Sequence, residues 1–151
     1  MQKHPNTERT VVNLLDREFA SFGESLRILT KSVPVDLLYR QPPSHTIGEN
    51  ILRSAGAVEQ TFGGITANLW DDPFEWTLPE KLSTKKAIMG YLGEVVEARN
   101  NGLAFITSDG DLSRRLPAPE TLKPILQVLV EAVARAENYL GQAEAVAKML
   151  T

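Results

Sequence analysis

Cysteine is absent from this 151-residue chain, and histidine occurs only twice, as His4 and His45. The lack of cysteine excludes a disulfide framework, a thiolate nucleophile and a cysteine-based metal site. Two histidines cannot supply the three imidazoles of a three-histidine metal site. Any metal bound by one copy of this chain would therefore have to depend on carboxylates.

The chain also has no excess of positive charge and no long apolar run. Its 16 lysines and arginines against 19 aspartates and glutamates give a net charge of -3 and a pI near 5.4. Nucleic-acid binders usually carry a basic stripe, so we expect no nucleic-acid partner. No apolar run approaches the ~18–20 residues that span a bilayer. Residues 1–6 lack the apolar region of a signal peptide, so we expect a cytoplasmic protein without membrane contact.

What the chain does contain is four segments with apolar residues at the 3.6-residue helical period. No strand pattern competes with them, so the sequence predicts an all-α protein, a single four-helix domain over residues 1–151. The predicted inner stripes are Val11, Leu15, Phe19, Phe22, Leu26 and Leu29; Ile47, Ile51, Ser54, Val58 and Phe62; Ile88, Leu92, Val95, Arg99, Leu103 and Ile106; and Ile125, Leu129, Val133, Ala136 and Leu140.

Each helix has a start signal, and proline-bearing loops separate the helices. The clearest signal is Thr46 with Glu49, which fits the S/T-x-x-E capping box. The other predicted starts are Asn6 or Thr7, Ser83 or Thr84, and a fourth helix with Pro124 in its first turn. The loops of about a dozen residues are longer than a tight up-and-down bundle requires, so at least one crossover connection is expected.

Gly90 and Gly93, with Ala87, form a patch of small residues on the third helix. Such a patch admits close packing, against a helix of the same subunit or against a dimer partner. The alternative is local looseness, at a cost of about 1 kcal/mol for each helical glycine relative to alanine.

Residues 135–142 read Arg-Ala-Glu-Asn-Tyr-Leu-Gly-Gln, close to the end of the fourth helical segment. The Gly141-Gln142 pair, preceded by polar side chains four residues apart, resembles the HxxxHxGQ signature of the DinB/YfiT-like superfamily. The two histidine positions of that signature hold Arg135 and Tyr139 here.

The second helix carries further landmarks of the same resemblance. Residues 38–43, followed by the Thr46–Glu49 box, are similar to the family's proline-bearing loop and helix start. Counting back from Glu59 puts the family's first metal histidine at Ser54, whereas counting forward from Thr46 puts it at Arg53. We choose Ser54 because it shares the inner stripe with Ile51 and Val58.

The resemblance implies a DinB-like four-helix bundle with long crossover loops, often homodimeric. Better-understood members are S-transferases and isomerases that use a low-molecular-weight thiol and a metal held by three histidines. The matching positions here, Ser54, Arg135 and Tyr139, supply a hydroxyl, a cation and a phenol. Because a guanidinium repels a metal ion and does not deprotonate at accessible pH, we expect no metal cofactor.

The same positions suggest a ligand pocket. Residues four apart on a helix face the same way, so Asn50 with Ser54 and Arg135 with Tyr139 form two polar pairs on two helices. If they converge, a fixed cation stands where relatives hold a metal, suited to a small anion. Alternatively, Arg135 pairs with an acid such as Glu131 or Glu59, and Tyr139 packs its ring in the fold.

Four secondary candidates complete the set: His45, Glu59, Trp70 and Trp76. His45 could act as a general base, yet its place beside a helix start favours a plain loop residue. The tryptophans could cover a pocket, although capping the core is the simpler interpretation. No Glu-x-x-His occurs, so a carboxylate metal site through Glu59 is not expected.

These features predict a small-ligand-binding or regulatory homodimer that lacks the family's metal site. The alternative is a divergent thiol-dependent S-transferase or hydrolase-like enzyme acting on a small anionic substrate. In that enzyme Arg135 would orient the substrate and Tyr139 would donate a proton. A third possibility is an interaction module that uses the Gly90/Gly93 face or the Trp70–Trp76 loop.

Overall fold

Four long helices hold most of residues 8–151, which are the residues that the computed structural model describes. They are α1 (Thr10–Ser32), α2 (Ile47–Ala67), α3 (Lys85–Ala104) and α4 (Ile125–Leu150). Short 3₁₀ turns occupy Val35–Leu37, Pro73–Glu75 and Asp109–Ser113. The predicted all-α class is therefore confirmed for this part of the chain. None of its helices combines the length and the apolar character needed to cross a bilayer.

Local capping chemistry explains where α2 and α3 begin. Thr46 Oγ1 accepts from the Glu49 backbone N–H, and the Glu49 carboxylate accepts from the Thr46 N–H, each at 3.2 Å. This is the predicted capping box, which satisfies two N–H groups that a helix start leaves free. Thr84 Oγ1 accepts from the Ala87 N–H at 3.1 Å, so the predicted start of α3 is confirmed.

The other two helices begin differently from the prediction. Asn6 and Thr7, the predicted caps of α1, lie outside the described residues. The first turn of α1 is capped from a distance, because the Asp109 carboxylate accepts from the N–H groups of Val11 and Val12. Pro124 lies immediately before α4 rather than within its first turn.

The predicted apolar stripes of the four helices face a common core. The central helix of this core is α2, which contacts all three other helices. Phe19 of α1 meets Phe62 of α2 edge to face, with ring centroids 5.2 Å apart. A few stripe positions are less buried than expected, because they lie at the edge of a helix face: Val11, Leu29, Arg99 and Val133. Ile106 is fully buried although α3 has already ended at Ala104.

A small β-hairpin corrects the prediction that no strand is present. Strand β1 (Arg115–Pro117) pairs antiparallel with β2 (Leu122–Pro124), with Leu116 opposite Lys123. Strands of three residues are too short to show the alternation by which a strand is recognised in sequence. The hairpin lies within the connection 105–124, and the other connections are residues 33–46 and 68–84. All three are longer than the dozen residues expected.

The small residues of α3 do not pack against another helix of this chain. Apart from the chain neighbours and the nearby backbone of α3 itself, no atom of the described residues lies within 4 Å of a Cβ placed on Gly90 or on Gly93. Close packing within the subunit is therefore the wrong interpretation of this patch, and packing against a partner stays a prediction. Close approach occurs instead at Gly102, where an added Cβ would overlap the Phe62 ring.

Two alanine substitutions in α3 should have opposite effects on stability. We expect Gly93→Ala to raise the free energy of unfolding by about 0.5–1 kcal/mol. Alanine has fewer conformations than glycine in the unfolded chain, and its methyl group meets open space in the folded one. Gly102→Ala should lower it by about 1–3 kcal/mol through overpacking against Phe62. Urea unfolding of both variants measures the difference. Destabilisation by Gly93→Ala in a monomeric sample would contradict the open face.

Candidate functional site

Arg135 and Tyr139 face a small cavity between α2, α4 and the loop 68–84. Its volume is about 110 Å³.

 The described residues that line the cavity are Arg53, Ala57, Gln60, Asp72, Arg135 and Tyr139. The predicted pair on α4 is thus brought to one cavity, and α2 supplies its opposite wall.

Ser54 and Asn50, the predicted pair on α2, do not line this cavity. Ser54 is fully buried, and its Oγ donates to the Ala136 backbone oxygen at 2.7 Å. Asn50 is also buried, and its Nδ2 donates to the His45 backbone oxygen at 3.4 Å. Both side chains therefore bind neighbouring backbone within the core, and Asn50 Oδ1 is buried without a hydrogen-bond partner among the described residues.

Arg53 is the residue of α2 that faces Arg135 and Tyr139. It is the position obtained by counting forward from Thr46, and it lines the cavity where Ser54 was expected. Its guanidinium carbon lies 4.1 Å from the centroid of the Phe74 ring, a cation–π contact. Its Nε is buried and has no hydrogen-bond partner among the described residues. An aromatic ring, and no carboxylate, therefore positions this cation.

Arg135 is not held by either of the acids considered as its partner. Glu131 accepts from Lys123 at 3.0 Å and from Gln127 at 2.9 Å. The hydrogen bond from Gln127 lowers the pKa of Glu131 most, and the hydrogen bond from Lys123 lowers it next. The positive charge of Arg135 makes the smallest contribution to this lowered pKa. Glu59 accepts from Tyr91.

Arg135 makes a long hydrogen bond, from its Nη2 to Thr61 Oγ1 at 3.4 Å. The ion pairs within residues 8–151 join Arg27 to Glu24 and Lys123 to Glu131. Neither includes Arg53 or Arg135. Two guanidiniums therefore line one small cavity without a bound counter-ion from the described part of the chain.

Two of the secondary candidates, Glu59 and Trp76, come together beside this cavity. With Gln60 they line a neighbouring cavity of about 130 Å³, and with Tyr91 and Glu94 another of about 270 Å³. The Tyr91 hydroxyl donates to Glu59 Oε2 at 2.5 Å. Burial raises the pKa of Tyr91, as do the hydrogen bond and charge of Glu59, so this phenol stays protonated.

The other two secondary candidates, His45 and Trp70, lie elsewhere. His45 is exposed in the loop before α2. The Trp70 ring covers Gly64, and its Nε1 donates to Asn68 Oδ1 at 3.0 Å. Trp70 therefore lies over the end of α2.

Gln60, Asp72 and Phe74 were not among the predicted site residues. The spacing of Arg53, Ala57 and Gln60 is a signal that sequence reasoning could have used, because it places them on one side of a helix. Asp72 and Phe74 lie in a loop, where no periodicity indicates the direction of a side chain. Asp72 Oδ1 accepts from the Phe74 N–H at 3.0 Å, which fixes the turn that carries both.

Residues 8–151 contain no group of three or more histidine, aspartate and glutamate side chains placed to hold a metal ion. The absence of a metal cofactor stays a prediction. Comparisons of the chain with protein-family models, curated proteins and solved structures gave no match.

Ser54 and Arg135 should differ sharply in their effects on stability. We expect Ser54→Ala to lower the free energy of unfolding by about 1 kcal/mol, because a buried hydrogen bond to Ala136 is lost. Arg135→Gln should change it by no more than about 0.5 kcal/mol, since the side chain is exposed and weakly bonded. Thermal and urea unfolding provide the comparison. A large loss of stability in Arg135→Gln would instead indicate a structural arginine.

Alkaline pH should destabilise the fold through two tyrosines. Burial, together with the charge of Glu49, raises the pKa of Tyr39 to about 12, and the pKa of Tyr91 is also raised. The unfolded chain releases these protons near pH 10, whereas the folded chain keeps them. The free energy of unfolding should therefore fall as pH rises above about 10.

Urea unfolding from pH 8 to 11.5 tests this dependence. The double variant Tyr39→Phe/Tyr91→Phe should show a shallower fall than the unmodified chain, because its phenylalanines have no proton to release. Equal slopes for both proteins would contradict the assignment.

Proposed function

We propose that this chain binds a small anion, a carboxylate or a phosphate, between Arg53 and Arg135. One observation carries the proposal: both guanidiniums line a cavity of about 110 Å³ without an ion pair to the described residues. Guanidinium groups form directional, charge-assisted hydrogen bonds with carboxylates and phosphates. The Tyr139 hydroxyl, on the same wall as Arg135, adds a further donor. In this proposal the chain is a small-ligand-binding or regulatory protein.

The size of the cavity limits what it accepts. Sites for drug-sized ligands measure roughly 300–1,000 Å³, so this cavity suits a single charged head group. The remainder of a larger ligand would extend into solvent or into the neighbouring cavity that shares Gln60.

The frame that we propose for this site is a DinB-like four-helix bundle with long crossover loops. The capping box at Thr46 and Glu49 and the contact of α2 with α4 support it. In that frame Arg53, Arg135 and Tyr139 stand at the positions of the family's three metal histidines. A fixed cationic pair would then replace the metal.

A homodimer is the proposed assembly. The open space beside Gly90 and Gly93 supports it, since a Cβ added at either glycine would meet no neighbouring element of the described chain within 4 Å. Light scattering at several concentrations tests the assembly, and a strict monomer would count against it.

Tyr139 favours one second candidate, a metal-independent enzyme acting on a small anionic substrate. Its phenol lines the same cavity as both arginines, so it could donate a proton to a substrate held there. Tyr139→Phe separates this enzyme from a binding protein. The substitution should abolish turnover of the anionic substrate, whereas binding of the anion should persist. A low-molecular-weight thiol as co-substrate stays part of this alternative.

Anion binding is tested by isothermal titration calorimetry with inorganic phosphate and with 3-phenylpropanoate. We expect at least one to bind, and Arg135→Gln and Arg53→Gln each to weaken that binding about tenfold or more, because a charged hydrogen bond is lost.

Arg17→Gln is the matched control, because Arg17 is an exposed arginine of α1 and the charge change is the same. It should bind like the unmodified chain. Equal weakening in all three variants would indicate a general effect of net charge and would contradict a specific site.

A further inference from the structure

The cavity between Arg53 and Arg135 also contains hydrogen-bond acceptors, which a simple anion does not need. Asp72 lines it, and no ion pair within residues 8–151 joins Asp72 to either arginine. Asp72 Oδ1 is occupied by the Phe74 N–H, which leaves Oδ2 as an acceptor. A carboxylate in this position repels an anion that carries no positive group of its own.

Gln60 supplies a second acceptor. Its Nε2 donates to the Trp70 backbone oxygen at 2.8 Å, and this bond sets the orientation of the amide. The Gln60 Oε1 is the remaining polar atom of the side chain, and it can only accept a hydrogen bond. The cavity thus offers donors from Arg53, Arg135 and Tyr139, and acceptors from Asp72 and Gln60.

The neighbouring cavity indicates what the rest of the ligand is like. It shares Gln60 with the arginine cavity and has a volume of about 130 Å³. Its other walls include Leu69, Pro73 and Trp76, which is 44% exposed, together with Glu59 and Asp71. An exposed indole beside leucine and proline suits an apolar group.

We infer that the ligand is a small zwitterion of the amino-acid type with an apolar side chain. Its carboxylate lies between Arg53 and Arg135, and its ammonium donates to Asp72 and Gln60. The side chain extends along Trp76. This inference rests on the proposed anion site and names the class of ligand that the site takes.

The ammonium sets this ligand apart from phosphate and from simple carboxylates. The zwitterion, phosphate and simple carboxylates can all accept hydrogen bonds from the guanidiniums. Only the zwitterion can also donate a hydrogen bond to Asp72. Asp72 repels a ligand that brings only negative charge, whereas an ammonium that donates to Asp72 adds a charge-assisted hydrogen bond.

Calorimetry with three related probes tests the inference. They are L-phenylalanine, 3-phenylpropanoate, which lacks the ammonium, and phenethylamine, which lacks the carboxylate. We expect L-phenylalanine to bind about tenfold or more tightly than either analogue, the gain of one charged hydrogen bond. L-leucine serves as a second zwitterion with a smaller apolar side chain.

Asp72→Asn isolates the role of the ammonium. Asparagine keeps an oxygen for the Phe74 N–H, so the turn should persist, and an unchanged melting temperature verifies this. The variant should bind L-phenylalanine about tenfold more weakly. Its affinity for 3-phenylpropanoate should stay the same or rise, because a repulsive charge is removed.

The outcomes separate this inference from the anion site itself. If 3-phenylpropanoate or phosphate binds through Arg135 and the amino acids bind no better, the zwitterion is wrong while the anion site stands. If none of these probes binds, both are overturned. Tight binding of phenethylamine alone would also contradict both, since the arginines would then have no role.

Discussion

The contact between α2 and α4 determines where every polar side chain of the site points. At its centre Ser54 Oγ donates to the Ala136 backbone oxygen at 2.7 Å, and both residues are fully buried. This hydrogen bond fixes how the two helices are rotated against each other. Arg53 and Arg135 each precede one of the bonded residues, so both lie at the edge of the contact and share one cavity. A different rotation of α2 would have buried Arg53 or turned it away.

The loop 68–84 completes the site with residues from one short turn. Asp72 caps the turn, Phe74 lies against the Arg53 guanidinium, and Trp76 lines the next cavity. The loop thus positions one of the cations and provides the only carboxylate among the described residues that line the arginine cavity. Because the turn is held by its own hydrogen bonds, these side chains are placed before any ligand arrives, which lowers the cost of ordering them on binding.

Much of the fold could be predicted because its signals are local. The capping box at Thr46 and the cap at Thr84 are confirmed, and each depends on residues three positions apart. The apolar stripes are also periodic, so most of the core was predictable. The hairpin was missed because its strands are too short for a pattern, and the Asp109 cap on α1 could not be foreseen because nearly a hundred residues separate the partners.

The sequence by itself determined the helices and their buried faces. Its lack of cysteine and its two histidines also excluded a cysteine-based or three-histidine metal site within one copy of the chain. It also placed Arg135 and Tyr139 on one side of α4, since residues four apart on a helix share a face. Only the tertiary structure decided between Arg53 and Ser54, which counting along the chain left one residue apart. One residue turns a helix by about 100°, enough to exchange a buried hydroxyl for a cation at the cavity. The packing of α2 against α4 made that choice, and no local pattern contains it.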